Sequence, residues 1–190
     1  MGDKLIQNLR EMRYKEVLFL GSSGGGKSSI VQALVDDDRN LKLQVEGRQF
    51  PQVNIQDCKF TLIDMTDQNA RKLHYAKAKA FVIVIDSTDQ ESIQHGKEIL
   101  DEFLNNMRYK DKVILVLGNK MDQVGSLSEK ELRESLDINS DLVDSNRVGV
   151  FISCATKGIG LLAAFGWLSK SISHQKQIYQ KKSNKKHKKD

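Results

Sequence analysis

A layered α/β fold, with a mostly parallel central sheet and helices on both faces, is what this 190-residue sequence predicts. Two observations carry that expectation. Short runs rich in β-branched residues alternate with longer stretches of helical periodicity, and four of the five runs are near-continuously apolar, as strands buried on both faces must be. The stretches between them supply the crossovers that parallel strands require.

The elements follow in order. Val17–Leu20 reads as the first strand, and Ser29–Val35 as the helix after it. Phe60–Ile63 and Phe81–Ile85 are the second and third strands. Ile93, Leu100, Phe103, Leu104 and Met107 then fall on one helical face. Thr88 with Glu91 has capping-box spacing, in which hydroxyl and carboxylate reciprocally satisfy amides at a helix start, and so does Ser128 with Glu131. Val113–Leu117 and Val148–Ile152 complete the strands. The last helix carries a stripe of Leu161, Leu162, Phe165, Leu168 and Ile172, and Trp167 beside it is expected to be packing rather than a ligand platform.

Bulk properties bound the rest. The length suits one well-buried core. No apolar run approaches the roughly 20 residues that span a bilayer. The N-terminus lacks the apolar core and cleavage site of a secretory signal, and Cys58 and Cys154 are two widely separated thiols, so a reducing, cytoplasmic setting is expected. The formal charge of +5 is unevenly placed: residues 176–190 hold seven Lys against one Asp, leaving 23 basic and 24 acidic residues elsewhere. A nearly neutral body with a cationic tail argues against nucleic acid as a partner. The chain divides into an amphipathic N-terminal segment (1–15), a single globular domain (16–178) and a lysine-rich tail (179–190), the last expected to be disordered. A monomer is expected.

Three motifs carry chemistry. Gly21-Ser22-Ser23-Gly24-Gly25-Gly26-Lys27-Ser28 matches G-x-x-x-x-G-K-[ST] between a predicted strand and a predicted helix. In such a loop the glycines, with Ser23 among them, let backbone amides turn toward phosphate oxygens. The helix start at Ser29 adds its positive dipole end, Lys27 reaches the terminal phosphates and Ser28 offers a hydroxyl to Mg²⁺. Asn119-Lys120-Met121-Asp122 follows a buried strand at the sheet edge where ligands bind. There a carboxylate such as Asp122 can accept both N–H donors of guanine, which adenine cannot present, while the Lys120 stem lies over the ring. Cys154, Ala155 and Thr156 follow the last strand, where a backbone amide could donate to guanine O6. Asp64 ends the second strand and is placed to hold a water on the metal, so Ser28 and Asp64 are the candidate metal residues. Asp86, at the end of the third strand before Ser87-Thr88, reads as a cap or turn residue.

With these motifs in this order the chain resembles the Ras-like small GTPases, whose fold is the small G-domain of the P-loop NTPases. Within them it is similar to the Arf and Arf-like family over nearly all of residues 1–175. Phe60-Thr61-Leu62-Ile63-Asp64, Val84-Ile85-Asp86-Ser87, Cys154-Ala155-Thr156 with Gly160, Trp167-Leu168, and Gly2 ahead of a short amphipathic start (Leu5, Ile6, Leu9, Met12) carry the finer likeness. The resemblance implies GTP/GDP and Mg²⁺ as ligands. It also implies effector and regulator proteins as partners, and reversible contact with an internal membrane through acylated Gly2 and the lysine-rich tail. Residue 6, however, is Ile6 rather than the Ser or Thr of the acylation motif.

Two departures bear on the switch that such a family uses, in which the γ-phosphate and Mg²⁺ order two loops. Ungapped alignment puts Val45 where the family carries a metal-binding Thr. In the second loop Asp67 stands where a glycine amide meets the γ-phosphate. Like charges about 4 Å apart at an effective dielectric near 20 repel by roughly 4 kcal/mol. Arg71, four residues on, offers only an exposed helical pair of about 0.5 kcal/mol. Gln68 keeps the position of the water-orienting glutamine and is the candidate catalytic residue. Two readings stay open: a nucleotide-dependent switch in membrane traffic or organelle targeting with slow or impaired hydrolysis, and a nucleotide-stabilised interaction module without switching, similar to the β subunit of the signal-recognition-particle receptor. A small-molecule kinase would leave Asn119 to Asp122 unexplained.

Overall fold

The computed structural model describes residues 15–35, 42–45, 48–55, 58–64, 74–144 and 146–186. Among the described residues seven strands form one mixed sheet: β1 (Lys15–Leu20), β2 (Lys42–Val45), β3 (Arg48–Ile55), β4 (Cys58–Asp64), β5 (Ala80–Asp86), β6 (Val113–Asn119) and β7 (Val148–Ile152), in the spatial order β2-β3-β4-β1-β5-β6-β7. Strands β4, β1, β5, β6 and β7 run parallel, whereas β2 and β3 pair antiparallel at one edge. All five predicted strands are present. The antiparallel pair is an addition that the sequence did not announce.

Apolar runs become two-sided strands because alternate residues serve opposite faces. Val17 and Phe19 of β1, with Ala80, Val82 and Val84 of β5, join one core, while Leu18, Leu20, Phe81, Ile83 and Ile85 join the other. Helices α1 (Lys27–Val35) and α5 (Leu161–Lys186) cover the first face through Ile30, Leu34, Phe165 and Leu168. On the second face, α2 (Gln90–Asn105) and α3 (Glu129–Ser135) pack with Ile93, Leu100, Phe103 and Leu132; a short α4 (Ser140–Asp144) precedes β7. At about 25 cal/mol per Å², each fully buried Phe or Leu contributes roughly 2 kcal/mol to this layering. Trp167 is half-buried against Phe151, their ring centroids 5.9 Å apart, and a Cβ on Gly149 would come within 2.6 Å of its ring. It is packing, as expected.

Several expectations change. The first helix opens at Lys27, two residues earlier than Ser29. At the start of α2 the N-cap is Asp89, accepting from Glu91 N at 3.3 Å and Ser92 N at 3.1 Å; Thr88 instead donates its hydroxyl to Asp86 Oδ1 at 2.7 Å. An acid placed nearer the helix wins because two amides converge on its carboxylate. The Ser128–Glu131 capping box forms as predicted. Met107 falls off the α2 stripe into a 3₁₀ turn and is 71% exposed, and Leu162 is 64% exposed on α5. The lysine-rich stretch from 179, expected without regular structure, continues α5 as helix to Lys186. Lysine is a good helix former, and adding a residue to an existing helix skips the costly nucleation step. Gly2 with the rest of residues 1–14, Asp67, Gln68 and Arg71 lie outside the described residues, and for Val45 only the backbone is described.

Candidate functional site

The carboxyl ends of the parallel strands gather the three motifs at one edge of the sheet. The glycine-rich loop leaves β1 and enters α1, and the backbone there needs glycine at two places. Gly21 has φ 128°, and a Cβ on it would sit 2.1 Å from Val84 O; Gly26 has φ 99°, with its Cβ 2.2 Å from Asn119 Nδ2. Lys27 turns back across the loop, its Nζ donating to Gly21 O at 3.1 Å and Ser22 O at 2.7 Å. That places the ammonium at the loop. Ser28 Oγ donates to Asp64 Oδ2 at 2.5 Å, so the two candidate metal residues converge although 36 residues separate them.

Asn119 binds the motifs to one another. Its side chain is buried and spans two loops: Nδ2 donates to Gly25 O at 3.0 Å, while Oδ1 accepts from Ala155 N at 3.0 Å and Ser153 Oγ at 3.4 Å. Its carbonyl accepts from Ser87 Oγ at 2.6 Å. The glycine-rich loop, the Asn119–Asp122 stretch and the loop after β7 are thus held in register by one amide group. Lys120 follows with φ 65°, a left-handed conformation that costs a non-glycine residue about 1 kcal/mol or more. Its ammonium pairs with Asp86 Oδ2 at 2.5 Å.

Asp86 is therefore both things: a turn residue, accepting from Thr88 N at 3.0 Å, and the anchor of Lys120. Burial alone would push its carboxyl up, but hydrogen bonds from Lys120 and Thr88 overcome this and hold it below the usual carboxylate range. Asp122 is held low as well, first by the Cys154 thiol and then by Lys157, whose Nζ lies 3.1 Å from Asp122 Oδ2. The Cys154 thiol is buried and also meets Thr156 Oγ1 at 3.3 Å. Within this loop Ala155 N–H serves Asn119, and the amides of Cys154, Lys157 and Gly158 serve loop carbonyls. Thr156 N–H donates to no described residue.

A cleft of about 690 Å³ opens between α1 and this loop, lined by Ser28, Ser29, Gln32, Ala33, Ala155, Thr156 and Gly158. It adjoins the phosphate loop on the α1 side; Lys120 and Asp122 stand outside its lining. The structure places the described residues singled out from the motifs, Ser23, Gly24 and Gly25 among them, on loops at this one edge, gives Ser22 within the glycine-rich motif a partner, and adds four residues from outside the motifs: Asp86, Ser87, Ser92 and Lys157. Ser22 Oγ and Ser92 Oγ are 2.8 Å apart, and Ser92 Oγ accepts from Asp86 N at 2.9 Å, so α2 braces the phosphate loop. Only Asp86 carried a sequence signal, as an acid at a strand end.

The Ser28 hydroxyl and the Asp64 carboxylate offer oxygens of the kind that would suit a hard cation, the second through a water. No group of three or more His, Cys, Asp or Glu that could hold a metal occurs among the described residues. Mg²⁺ at a phosphate site asks for no more than one or two protein oxygens, since phosphate and water supply the others.

A sequence profile of the ADP-ribosylation factor family matches residues 2–172. The chain is similar to ADP-ribosylation factor-like protein 1 of Caenorhabditis elegans, at 29% identity over 88% of this chain and 92% of the relative. It is equally similar to ADP-ribosylation factor-like protein alp41 of Schizosaccharomyces pombe, at 29% identity over 90% and 96%. ADP-ribosylation factor 1 of Brassica rapa subsp. pekinensis matches at 27% over 82% and 87%.

Proposed function

The chain belongs to the ADP-ribosylation factor family of small GTPases, and from that premise we propose that it is a guanine-nucleotide switch acting in membrane traffic or organelle targeting, with slow or impaired GTP hydrolysis. The observation that carries this reading is the Asn119 amide tying Gly25 to Ala155, because it joins a phosphate cradle to a base-reading loop at fixed spacing. The loop amides from Gly21 to Ser29 and the Lys27 ammonium bind phosphate oxygens. Ser28 and Asp64 hold Mg²⁺, which supplies charge neutralisation between phosphates when bound. Asp122, kept ionised by Cys154 and Lys157, accepts the two guanine N–H groups, and the Thr156 amide is the free donor for O6. Asp86 steadies Lys120 so that its aliphatic stem lies along the ring. Gln68 orients the attacking water. Acylated Gly2 and the lysine-rich tail together give reversible membrane contact, since one acyl chain alone anchors only marginally.

A second reading has its own support in Val45 and Asp67, which remove one metal ligand and add one negative charge where the switch loops meet the γ-phosphate. On that reading the nucleotide is structural and the protein is an interaction module. Calorimetry of the purified protein with GDP and with a non-hydrolysable GTP analogue, beside Asp67→Gly, separates the two. Tight binding of both ligands, with Mg²⁺ strengthening the analogue, supports the switch. Binding of GDP alone, with the analogue restored by Asp67→Gly, supports the module. Binding of neither refutes guanine-nucleotide recognition altogether.

A further inference from the structure

The opposite edge of the sheet, where the parallel strands begin, carries a different chemistry. The segments that feed β5 and β6 lie against each other there: Val113 N–H donates to Lys79 O at 3.5 Å, Lys112 Nζ donates to Ala76 O at 3.3 Å, and the rings of Tyr75 and Tyr109 meet edge to face at 6.0 Å. Residues 74–79 and 106–112 contain Lys77, Lys79, Arg108, Lys110 and Lys112 against one acid, Asp111. Lys77, Lys79, Arg108 and Lys110 are exposed. Lys112 is buried among them: burial pushes its ammonium below the usual lysine range, the Asp111 carboxylate opposes the shift, and the Lys79 cation adds to it. The neighbouring acid on β1, Glu16, is engaged by His74 at 3.2 Å.

Among these cations stands Met107, 71% exposed. A lone exposed apolar side chain is ordinary. This one is held outward by a rigid support: Asn106 Oδ1 accepts Arg108 N–H at 3.0 Å, and Tyr109 packs its ring on Phe81 and Phe103 at 5.6 and 4.9 Å. Helix α5 reaches the same edge, since Ser173 Oγ lies 4.0 Å from Cys58 Sγ at the start of β4. From there its backbone continues to Lys186, about 20 Å at the rise of an α-helix, through a stretch that contains five lysines.

We propose that this edge is a membrane-contact face, on which Lys77, Lys79, Arg108 and Lys110 meet the headgroups of an anionic phospholipid leaflet while Met107 enters the boundary between headgroups and acyl chains. Cations around an apolar side chain are the chemistry of interfacial binding. Single-stranded nucleic acid would call for exposed rings to stack on, but Tyr75 and Tyr109 turn inward to the core. A protein partner would call for a broader apolar centre than one methionine. The face adds a third contact to Gly2 and the tail, and it is independent of whether the nucleotide switches.

The test uses the full-length, unacylated protein and sucrose-loaded vesicles of phosphatidylcholine, with or without phosphatidylserine, in a sedimentation assay. Each cation removed from an anionic surface lowers partitioning about fivefold, so Lys77→Glu with Lys110→Glu lowers it on the order of 25-fold or more, whereas Lys130→Glu on the far edge changes it little. Met107→Cys, labelled with a polarity-sensitive fluorophore, shifts to the blue on phosphatidylserine vesicles and not on phosphatidylcholine. Unchanged partitioning of the double variant, no parent binding to either vesicle, or a fluorophore that stays in water while the protein sediments would each overturn the proposal. So would loss of RNA binding in the double variant with vesicle binding intact. Circular dichroism melts of all variants, whose changed side chains are exposed, show that the fold is kept.

Discussion

Removing the Asn119 side chain is the most direct test of how the site is assembled. In Asn119→Ala three hydrogen bonds disappear, and the groups left behind are Gly25 O, Ala155 N–H and Ser153 Oγ, all on buried residues. A neutral hydrogen bond contributes about 1 kcal/mol net, and a buried group left without a partner costs about 1–3 kcal/mol. Two of the three contacts are short and one is long, so roughly 3 kcal/mol is the expected loss. With a urea m-value near 2 kcal/mol/M, the nucleotide-free unfolding midpoint falls by about 1.5 M. Asp122→Ala, at an exposed carboxylate, leaves that midpoint in place while abolishing the preference for GDP over ADP. A shift below about 0.5 M for Asn119→Ala would mean that water replaces the amide and that the loops hold their register by other means.

Three further outcomes follow from the same geometry. Asp86 has a folded-state pKa depressed below the unfolded value near 3.9, so its stabilisation is complete above that pH and is lost as pH falls through the folded pKa. Asp86→Asn is therefore less stable than the parent at neutral pH and loses less on acidification in urea titrations below pH about 4; parallel curves would remove Asp86 as the anchor of Lys120. Lys157→Ala leaves thermal stability unchanged, as expected of a partly exposed pair, but quickens release of a fluorescent GDP at low salt; equal release rates in both proteins would count against a role at the base. Gly149→Ala forces a Cβ to within 2.6 Å of the Trp167 ring and costs about 1–3 kcal/mol, read as a lowered melting temperature with altered tryptophan fluorescence; an unchanged spectrum would show that the ring moves freely.

The sequence made the parallel part of the sheet and the phosphate and base motifs legible because each depends on local pattern: uninterrupted apolar runs, glycines before Gly-Lys-Ser, and an acid three residues after Asn119. The antiparallel strands β2, at the sheet edge, and β3 beside it stayed hidden. Pro51, with Gln49, Gln52 and Asn54 around it, breaks any apolar run, and a proline usually argues against a strand; here it pairs with Lys42 at the sheet edge. Long-range pairings were invisible for another reason. Ser22 with Ser92, Asp86 with Lys120 and Asp122 with Lys157 join residues whose types are common on any surface, and only the fold puts them within bonding distance. Thr88 shows the same limit in miniature, for its spacing to Glu91 fits a cap, yet Asp89 takes the amides.

The one-way run of the five parallel strands has a consequence for how this chain can change. A seven-residue strand such as β5 separates its two ends by roughly 20 Å, beyond the reach at which substitutions usually couple. The end that holds the nucleotide motifs and the end that gathers the lysines are thus close to independent in energy. Substitutions at one end can accumulate without disturbing the other, so fixed motifs and a changing surface can coexist in one small domain.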